Sequence, residues 1–205
     1  ETLMNFTFAL KYIGDEISGK MMYPVYDSNG NEIGWDNTRL SWSLNSEGLL
    51  TVQGQGELFN EKGSYWRSLT DMIKEAEIKD GITTIEYNQF AGLINLQKVT
   101  IPASVKKIEN EAFWYCTGLK EIVFSGNAPV FEAGTDGIDR WYDIFSGVTA
   151  TAYYPAGNST WTTAVRQNYG GNISWTAKEE KDYKDFEERV EKLRNPLKAL
   201  GIKTA

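Results

Sequence analysis

Cys116 is the strongest potential nucleophile in this sequence of 205 residues. A nucleophilic cysteine needs a base to remove its proton, and histidine, the usual base, is absent. Histidine is also the commonest zinc ligand, so its absence argues against a metal site. Cys116 aligns with Leu93 one repeat earlier, and unpaired cysteines pack as small apolar side chains. We therefore predict that Cys116 is an inert core residue.

Asp27, Asn29 and Asn31 place oxygen-bearing side chains at alternate positions, as the first half of a calcium-binding loop does. However, Glu32 stands where an EF-hand loop has its glycine, and Thr38 stands where that loop needs glutamate. A hairpin turn explains the segment better than a cation site does.

Glycoside hydrolysis would need two carboxylates placed on either side of one sugar. The acidic residues fall on repeat surfaces and in a charged tail, where solvated faces explain them and no pair is singled out. The sequence also has no phosphate-binding loop and no nucleophile elbow. We therefore predict a protein that is not an enzyme, with no catalytic residue, no cofactor and no metal.

Two pairs of aromatic residues are the candidate ligand-binding residues. Trp114 and Tyr115 replace a small pair, Ala-Gly, at the aligned positions of the preceding repeat, and Trp141 and Tyr142 lie in an insertion. Exposed rings can stack on sugars or anchor a protein partner. The alternative is that these rings pack on each other and bury the insertion.

An internal repeat is the strongest signal of the elements that position these residues. Residues 76–98 and 99–121 match at seven apolar positions, each pair 23 residues apart: Ala76 and Val99, Ile78 and Ile101, Ile82 and Val105, Ile85 and Ile108, Phe90 and Phe113, Leu93 and Cys116, Leu96 and Leu119. A third copy starts at Ile122, and Phe145 and Val148 continue it after an insertion at 132–144. This period is typical of leucine-rich repeats, in which stacked copies share one core.

The segments around the repeats show other patterns. Apolar residues alternate over residues 6–12 and again over 40–52, which predicts antiparallel strands. Between residues 64 and 76, apolar residues recur every three or four positions. This spacing, with Ser64 as N-cap, predicts a short amphipathic helix. Tyr154-Pro155 suggests a final strand, and residues 156–175, with two tryptophans, are predicted to cap the C-terminal end.

Residues 178–194 form a charged tail, in which thirteen of seventeen residues carry charge. Its apolar residues follow a spacing of three and four, which predicts an amphipathic helix with a narrow apolar stripe. The sequence leaves three roles open for it: a coiled coil with another chain, a helix that folds back on its own domain, or a linker to a further domain.

The predicted fold is a β-rich α/β protein: a short leucine-rich-repeat solenoid of about three 23-residue repeats, with an N-terminal antiparallel β cap and a C-terminal helix. The predicted units are a β-hairpin segment at 1–37, a β cap with a short helix at 38–75, the solenoid with its C-terminal cap at 76–175, and the charged helix at 176–205.

The repeat pattern resembles the BspA-like leucine-rich repeats of surface proteins from gut and oral bacteria. The resemblance covers residues 38–175, and its motifs are Ile82-Thr-Thr-Ile85, Phe90-Ala-Gly-Leu93, Val99-Thr-Ile101-Pro102-Ala-Ser-Val105, Ala112-Phe113 and Cys116-Thr-Gly-Leu119. It implies a solenoid and, as for family members described as adhesins, an extracellular or cell-surface location.

The function expected from these observations is a non-catalytic binding or adhesion module of a secreted or surface-attached bacterial protein. Its partner would be a host or matrix protein or a polysaccharide; the alternative is a structural spacer in a larger surface protein. A net charge of −7 argues against nucleic acid, and no apolar run is long enough to span a membrane. Because the chain opens at Glu1 without a signal-peptide pattern, we expect a processed protein or a fragment.

Overall fold

A computed structural model describes residues 11–13, 16–58, 65–132, 143–179 and 188–192. The strands in this part of the chain are β1 (Lys11–Ile13), β2 (Glu16–Lys20), β3 (Tyr23–Tyr26), β4 (Glu32–Asp36), β5 (Leu40–Asn45), β6 (Leu49–Gly54), β7 (Gly56–Leu58), β8 (Glu75–Ile78), β9 (Ile82–Ile85), β10 (Lys98–Ile101), β11 (Lys107–Ile108), β12 (Glu121–Phe124), β13 (Val130–Phe131), β14 (Thr149–Pro155) and β15 (Asn172–Lys178). A 3-10 turn covers Arg67–Leu69, and residues 188–192 are α-helical.

Two sheets run along the solenoid. The larger has the order β1-β2-β5-β6-β8-β10-β12-β14-β15, and the smaller has the order β13-β11-β9-β7. Strands β6 to β15 of the larger sheet pair in parallel, whereas β1, β2, β5 and β6 pair antiparallel at its N-terminal end. The predicted solenoid with an antiparallel cap is therefore present, and β2 joins it by pairing with β5.

The 23-residue period of the sequence appears directly in the strand register. Val99 on β10 lies opposite Ala76 on β8 and Ile122 on β12, as the alignment of the repeats predicts. Their side chains are buried in one continuous core. Equivalent residues of successive coils thus stack on one another, so a side chain that no single coil could bury is covered by its neighbours.

An aromatic spine passes through the core, one ring from each coil. The rings of Trp42, Trp66, Phe90, Phe113 and Phe145 follow one another at centroid separations of 6.4, 5.2, 5.2 and 5.7 Å. The stacking of Phe145 on Phe113 confirms that the repeat resumes at Phe145 after the insertion. Stacked rings at this distance add to the apolar burial that holds adjacent coils together.

The amphipathic helix predicted over residues 64–76 is wrong. Ser64, its proposed N-cap, lies outside the described residues, the segment contains only the 3-10 turn, and Ala76 lies on strand β8. Its apolar residues form one more coil. Trp66, Ile73 and Ala76 are buried and Leu69 is partly buried, and the four take the positions that Phe90, Leu96, Val99 and Leu93 take in the next coil. The chain arcs around the core here, and an arc buries every third or fourth residue just as a helix does.

The C-terminal end of the solenoid extends past Tyr154-Pro155, where the sequence suggested a final strand. Strand β15 pairs in parallel with the whole of β14. Between the two strands, Trp161 is buried, its ring centroid lies 4.8 Å from that of Phe124, and its Nε1 donates a hydrogen bond to the Gly126 carbonyl at 2.9 Å. This tryptophan covers the end of the apolar core. Among the described residues, no helix is both long enough and apolar enough to cross a membrane.

Candidate functional site

The turns that precede strands β10, β12 and β14 share a position with a left-handed backbone. It lies two residues after the spine phenylalanine and is occupied by Gly92 (φ 74°), Tyr115 (φ 57°) and Gly147 (φ 82°) in successive coils. Glycine adopts this conformation freely, whereas any other residue pays roughly 1–2 kcal/mol for it. Tyr115 is therefore strained, and strained residues concentrate at functional sites.

The Tyr115 side chain extends outward from this turn and is 53% exposed. Its backbone N–H donates to the Ser146 carbonyl at 2.8 Å, which holds the turn against the next coil. A β-carbon placed on Gly147 would lie 3.5 Å from Cδ2 of Tyr115, so the ring lies beside bare backbone. The Trp114 ring, half-buried, lies 5.7 Å from it between centroids.

Tyr87 from the preceding coil reaches the same turn. Its side chain is 50% exposed, and its hydroxyl donates a hydrogen bond to the Glu111 carboxylate. Partial burial and the negative charge of Glu111 both raise the pKa of Tyr87. Glu111 belongs to the same turn as Trp114, because the backbone N–H of Trp114 donates to the backbone carbonyl of Glu111 at 2.9 Å. We name Tyr87, Glu111, Trp114 and Tyr115 the aromatic turn patch.

Charged groups border the aromatic turn patch on one side. The Glu109 carboxylate accepts the backbone N–H of Tyr87 at 3.1 Å and lies 2.6 Å from the ammonium of Lys107, which is also 3.7 Å from Glu132. The hydrogen bond to Glu109 raises the pKa of Lys107. Ring faces beside fixed carboxylates are suited to bind hydroxyl-rich or amide-bearing ligands, since each ring offers apolar area and each carboxylate accepts hydrogen bonds.

The sequence identified only part of this patch. It selected Trp114 and Tyr115, which lie together, and it selected Trp141 and Tyr142, which lie outside the described residues. It missed Tyr87, although there was a signal: Tyr87 aligns with Asn110, so an aromatic residue stands in a turn that is polar one coil later. A large ring in a polar turn indicates either a contact across coils or a ligand contact, and Tyr87 makes the first.

Cys116 lies directly behind the aromatic turn patch, inside the core. Its thiol donates to the Phe90 carbonyl at 3.0 Å, and burial raises its pKa to about 12. The thiolate needed for nucleophilic chemistry is therefore scarce at neutral pH. The prediction that Cys116 is a core residue is confirmed.

The segment from Asp27 to Asn31 is the turn of the β3–β4 hairpin, as predicted. One Asp27 carboxylate oxygen accepts the backbone N–H groups of Asn29 and Asn31 at 2.8 and 2.9 Å. The bond from Asn31 contributes most to a lowered pKa of Asp27. This carboxylate thus serves the turn itself. Within the described ranges, no group of three or more His, Cys, Asp or Glu side chains is placed to hold a metal ion.

Comparison with known proteins found two similarities to leucine-rich repeat proteins. Residues 65–134 match the family model of the BspA type leucine rich repeat region (6 copies). A solved leucine-rich repeat protein from Eubacterium ventriosum is similar at 22% sequence identity and a TM-score of 0.47, over 68% of this chain and 37% of that one. This chain therefore spans well under half of that protein. No curated protein is significantly similar to the chain.

Proposed function

Starting from a chain whose residues 65–134 are BspA-type leucine-rich repeats, we propose that it is a non-catalytic binding module that recognises its partner through the aromatic turn patch. Proteins built from such repeats generally bind other molecules and have no catalytic role. We place this module outside the cell, on a secreted or surface-attached bacterial protein, where its partner would be a host or matrix protein or a polysaccharide.

The observation that carries this proposal is the side chain of Tyr115. Packing and backbone geometry both favour glycine at its position, as the two neighbouring coils show with Gly92 and Gly147. The ring of Tyr115 adds nothing to the apolar core and exposes apolar area to water. A ligand contact explains a ring that the fold itself does not require, since aromatic anchors dominate the energetics of binding surfaces.

The polar groups around the ring support a directional contact. The Glu111 carboxylate accepts a hydrogen bond from the Tyr87 hydroxyl, and the Glu111 backbone is fixed in its turn by the Trp114 N–H. A preorganised acceptor loses little conformational freedom on binding, so more of its interaction energy appears as affinity. Sugar hydroxyls and backbone or side-chain amides would both suit this acceptor, so the two partner classes must be separated by experiment.

The test is a binding screen of the purified chain against a glycan array and a panel of mucosal matrix proteins. In the Tyr115→Gly variant we expect affinity to fall at least about tenfold, because an anchoring aromatic residue contributes roughly 2 kcal/mol. The melting temperature should stay the same or rise, since glycine relieves the left-handed strain. A Trp141→Ala variant examines the second aromatic pair in the same screen.

Tyr26→Ala is the matched control. Tyr26 has nearly the same exposure as Tyr115, 54%, but lies on the β3–β4 hairpin, and we expect its variant to bind like the parent. A partner that Tyr115→Gly still binds with parental affinity would contradict the aromatic turn patch as the site. A parent chain that binds nothing in either library would favour the structural spacer.

A further inference from the structure

The outer face of the parallel sheet carries an ordered row of side chains. On strands β6, β8, β10 and β12 the residues that enter the core are Leu50, Ala76, Val99 and Ile122. Side chains alternate along a strand, so the preceding residue of each strand points away from the core. Strand register aligns these outward residues into one row, Leu49–Glu75–Lys98–Glu121.

Two members of this row, Leu49 and Lys98, are buried although they point away from the core. Lys98 is only 3% exposed, and its ammonium lies 3.6 Å from the Glu121 carboxylate. Leu49 is buried too, as is Val123, which also points away from the core. Neither of these apolar side chains belongs to the main core cluster. Outward side chains can be this buried only if other parts of the chain lie over the outer face at these positions.

Residues 188–192 lie over this face. Arg189 forms an ion pair with Glu75, a residue 114 positions earlier in the chain, and Val190 is only 5% exposed. The charge of Arg189 also reaches Lys98: burial first, then Arg189, lower the pKa of that lysine to about 8. Glu188 and Lys192, on the same helical segment, pair with each other and remain largely exposed. The segment therefore presents Arg189 and Val190 to the sheet.

The Arg189 contact combines attraction and repulsion. Its guanidinium pairs with Glu75 while half of its side chain stays exposed, and the contact brings the like charges of Arg189 and Lys98 together. Partly exposed ion pairs contribute about 1 kcal/mol or less, so such a segment detaches more readily than the strands beneath it. Detachment would uncover the Glu75 carboxylate and the surface that buries Val190.

We propose that the outer face of the parallel sheet is a docking site for an amphipathic helix, that residues 188–192 occupy it as an exchangeable strap, and that a partner helix bearing an arginine next to a β-branched apolar residue takes the same place. Glu75 supplies the anion for the arginine, and the apolar residue takes the buried place that Val190 holds. This site is separate from the aromatic turn patch and does not depend on it.

The first measurement is hydrogen exchange of the full chain. In the Arg189→Glu variant the ion pair becomes a repulsion from Glu75, and we expect the amides of residues 188–192 to exchange at least about tenfold faster than in the parent. The control is Glu188→Lys/Lys192→Glu, which exchanges the two charges of the exposed pair and leaves the Arg189–Glu75 pair intact, so it should exchange like the parent. Adding Glu75→Arg to Arg189→Glu restores opposite charges and should restore protection.

The second measurement asks whether the uncovered face accepts a helix in trans. The probe is a fluorescent peptide with the sequence of residues 178–205, and its anisotropy is followed as each full-length chain is added. The Arg189→Glu chain should bind it at least about tenfold more tightly than the parent or the Glu188→Lys/Lys192→Glu chain, because its own strap no longer competes. Equal binding by all three chains, or unchanged exchange in Arg189→Glu, would overturn the proposal.

Discussion

At the scale of single residues, Lys98 shows how a charged group is accommodated in a buried position. Its ammonium faces Glu121 and Glu75 from the neighbouring strands and Arg189 from the strap. The two carboxylates favour the charged form, while burial and Arg189 oppose it, and the net result is a pKa lowered from 10.5 to about 8. A lysine in this position loses its proton more easily in the folded chain than in the unfolded one.

This shift predicts a pH-dependent contribution to stability. Between about pH 8 and pH 10.5 the unfolded chain holds a proton on Lys98 that the folded chain releases, so this group's contribution to the free energy of unfolding rises with pH and is lowest below pH 8. Urea unfolding of the parent and of Lys98→Met, at about pH 7 and about pH 9.5, measures it. The parent should gain stability relative to the variant at the higher pH; a difference that stays constant would contradict the shifted pKa.

Tyr115 is the opposite case to Lys98, because it is an aromatic side chain that the fold leaves exposed to solvent. The sequence alignment places it beside a core phenylalanine, in the position of Gly92, and this allows either a buried or an exposed ring. The left-handed backbone at this position decides the outcome, because it directs the side chain away from the core.

At the scale of elements, the aromatic spine connects each coil with the coils on either side of it. Phe90 is fully buried and stacks on Trp66 and Phe113 at 5.2 Å in each direction. Each ring in the middle of the spine therefore supports two coils at once. The hydrogen bonds between successive turns, such as Phe90 N–H to the Ala112 carbonyl at 2.8 Å, follow the same path.

Removing one ring from the spine should be costly. Phe90→Ala is expected to lower the free energy of unfolding by about 3–5 kcal/mol, because it opens a cavity and breaks two stacking contacts. Chemical denaturation followed by tryptophan fluorescence measures the loss. Val130→Ala, at a position that is 63% exposed, is the control and should change stability by less than about 0.5 kcal/mol. A loss below about 1 kcal/mol in Phe90→Ala would show that the coils are held by other contacts.

At the scale of the whole molecule, the protein is a stack in which each coil touches only the next. Its N-terminal end is extended by the antiparallel strands β2 and β5, and its C-terminal core is covered by Trp161. Stability in such a stack is a sum of local terms and nearest-neighbour terms. The effect of a change at one end should therefore decline along the sheet.

Trp161→Ala tests this decline. The substitution uncovers Phe124 and removes the hydrogen bond to Gly126, so amides in β12, β14 and β15 should exchange faster, while those in β6 and β8 change much less. Hydrogen exchange with mass spectrometry resolves these strands as separate peptides. Equal acceleration in all of them would show that the stack unfolds as a single unit.

The sequence by itself determined the solenoid, the register of its strands and the residues of its core. Apolar residues that recur every 23 positions can be buried together only if their coils stack in step, so the offset that links Val99 to Ile122 is also the offset of the strand pairing. The same rule located Cys116 in the core and predicted the return of the repeat at Phe145. These features follow from the 23-residue period, which can be recognised in this single sequence.

Only the tertiary structure decided the features that depend on contacts between residues far apart in the sequence. A spacing of three and four residues over 66–76 fits a helix or an arc around a shared core, and the neighbouring coils selected the arc. The tail sequence allowed a linker, a coiled coil or a return to its own domain, and Glu75, 114 positions away, provides the contact that brings residues 188–192 back to the sheet. Local spacing specifies local geometry, whereas exposure and docking are set by residues far apart in the chain.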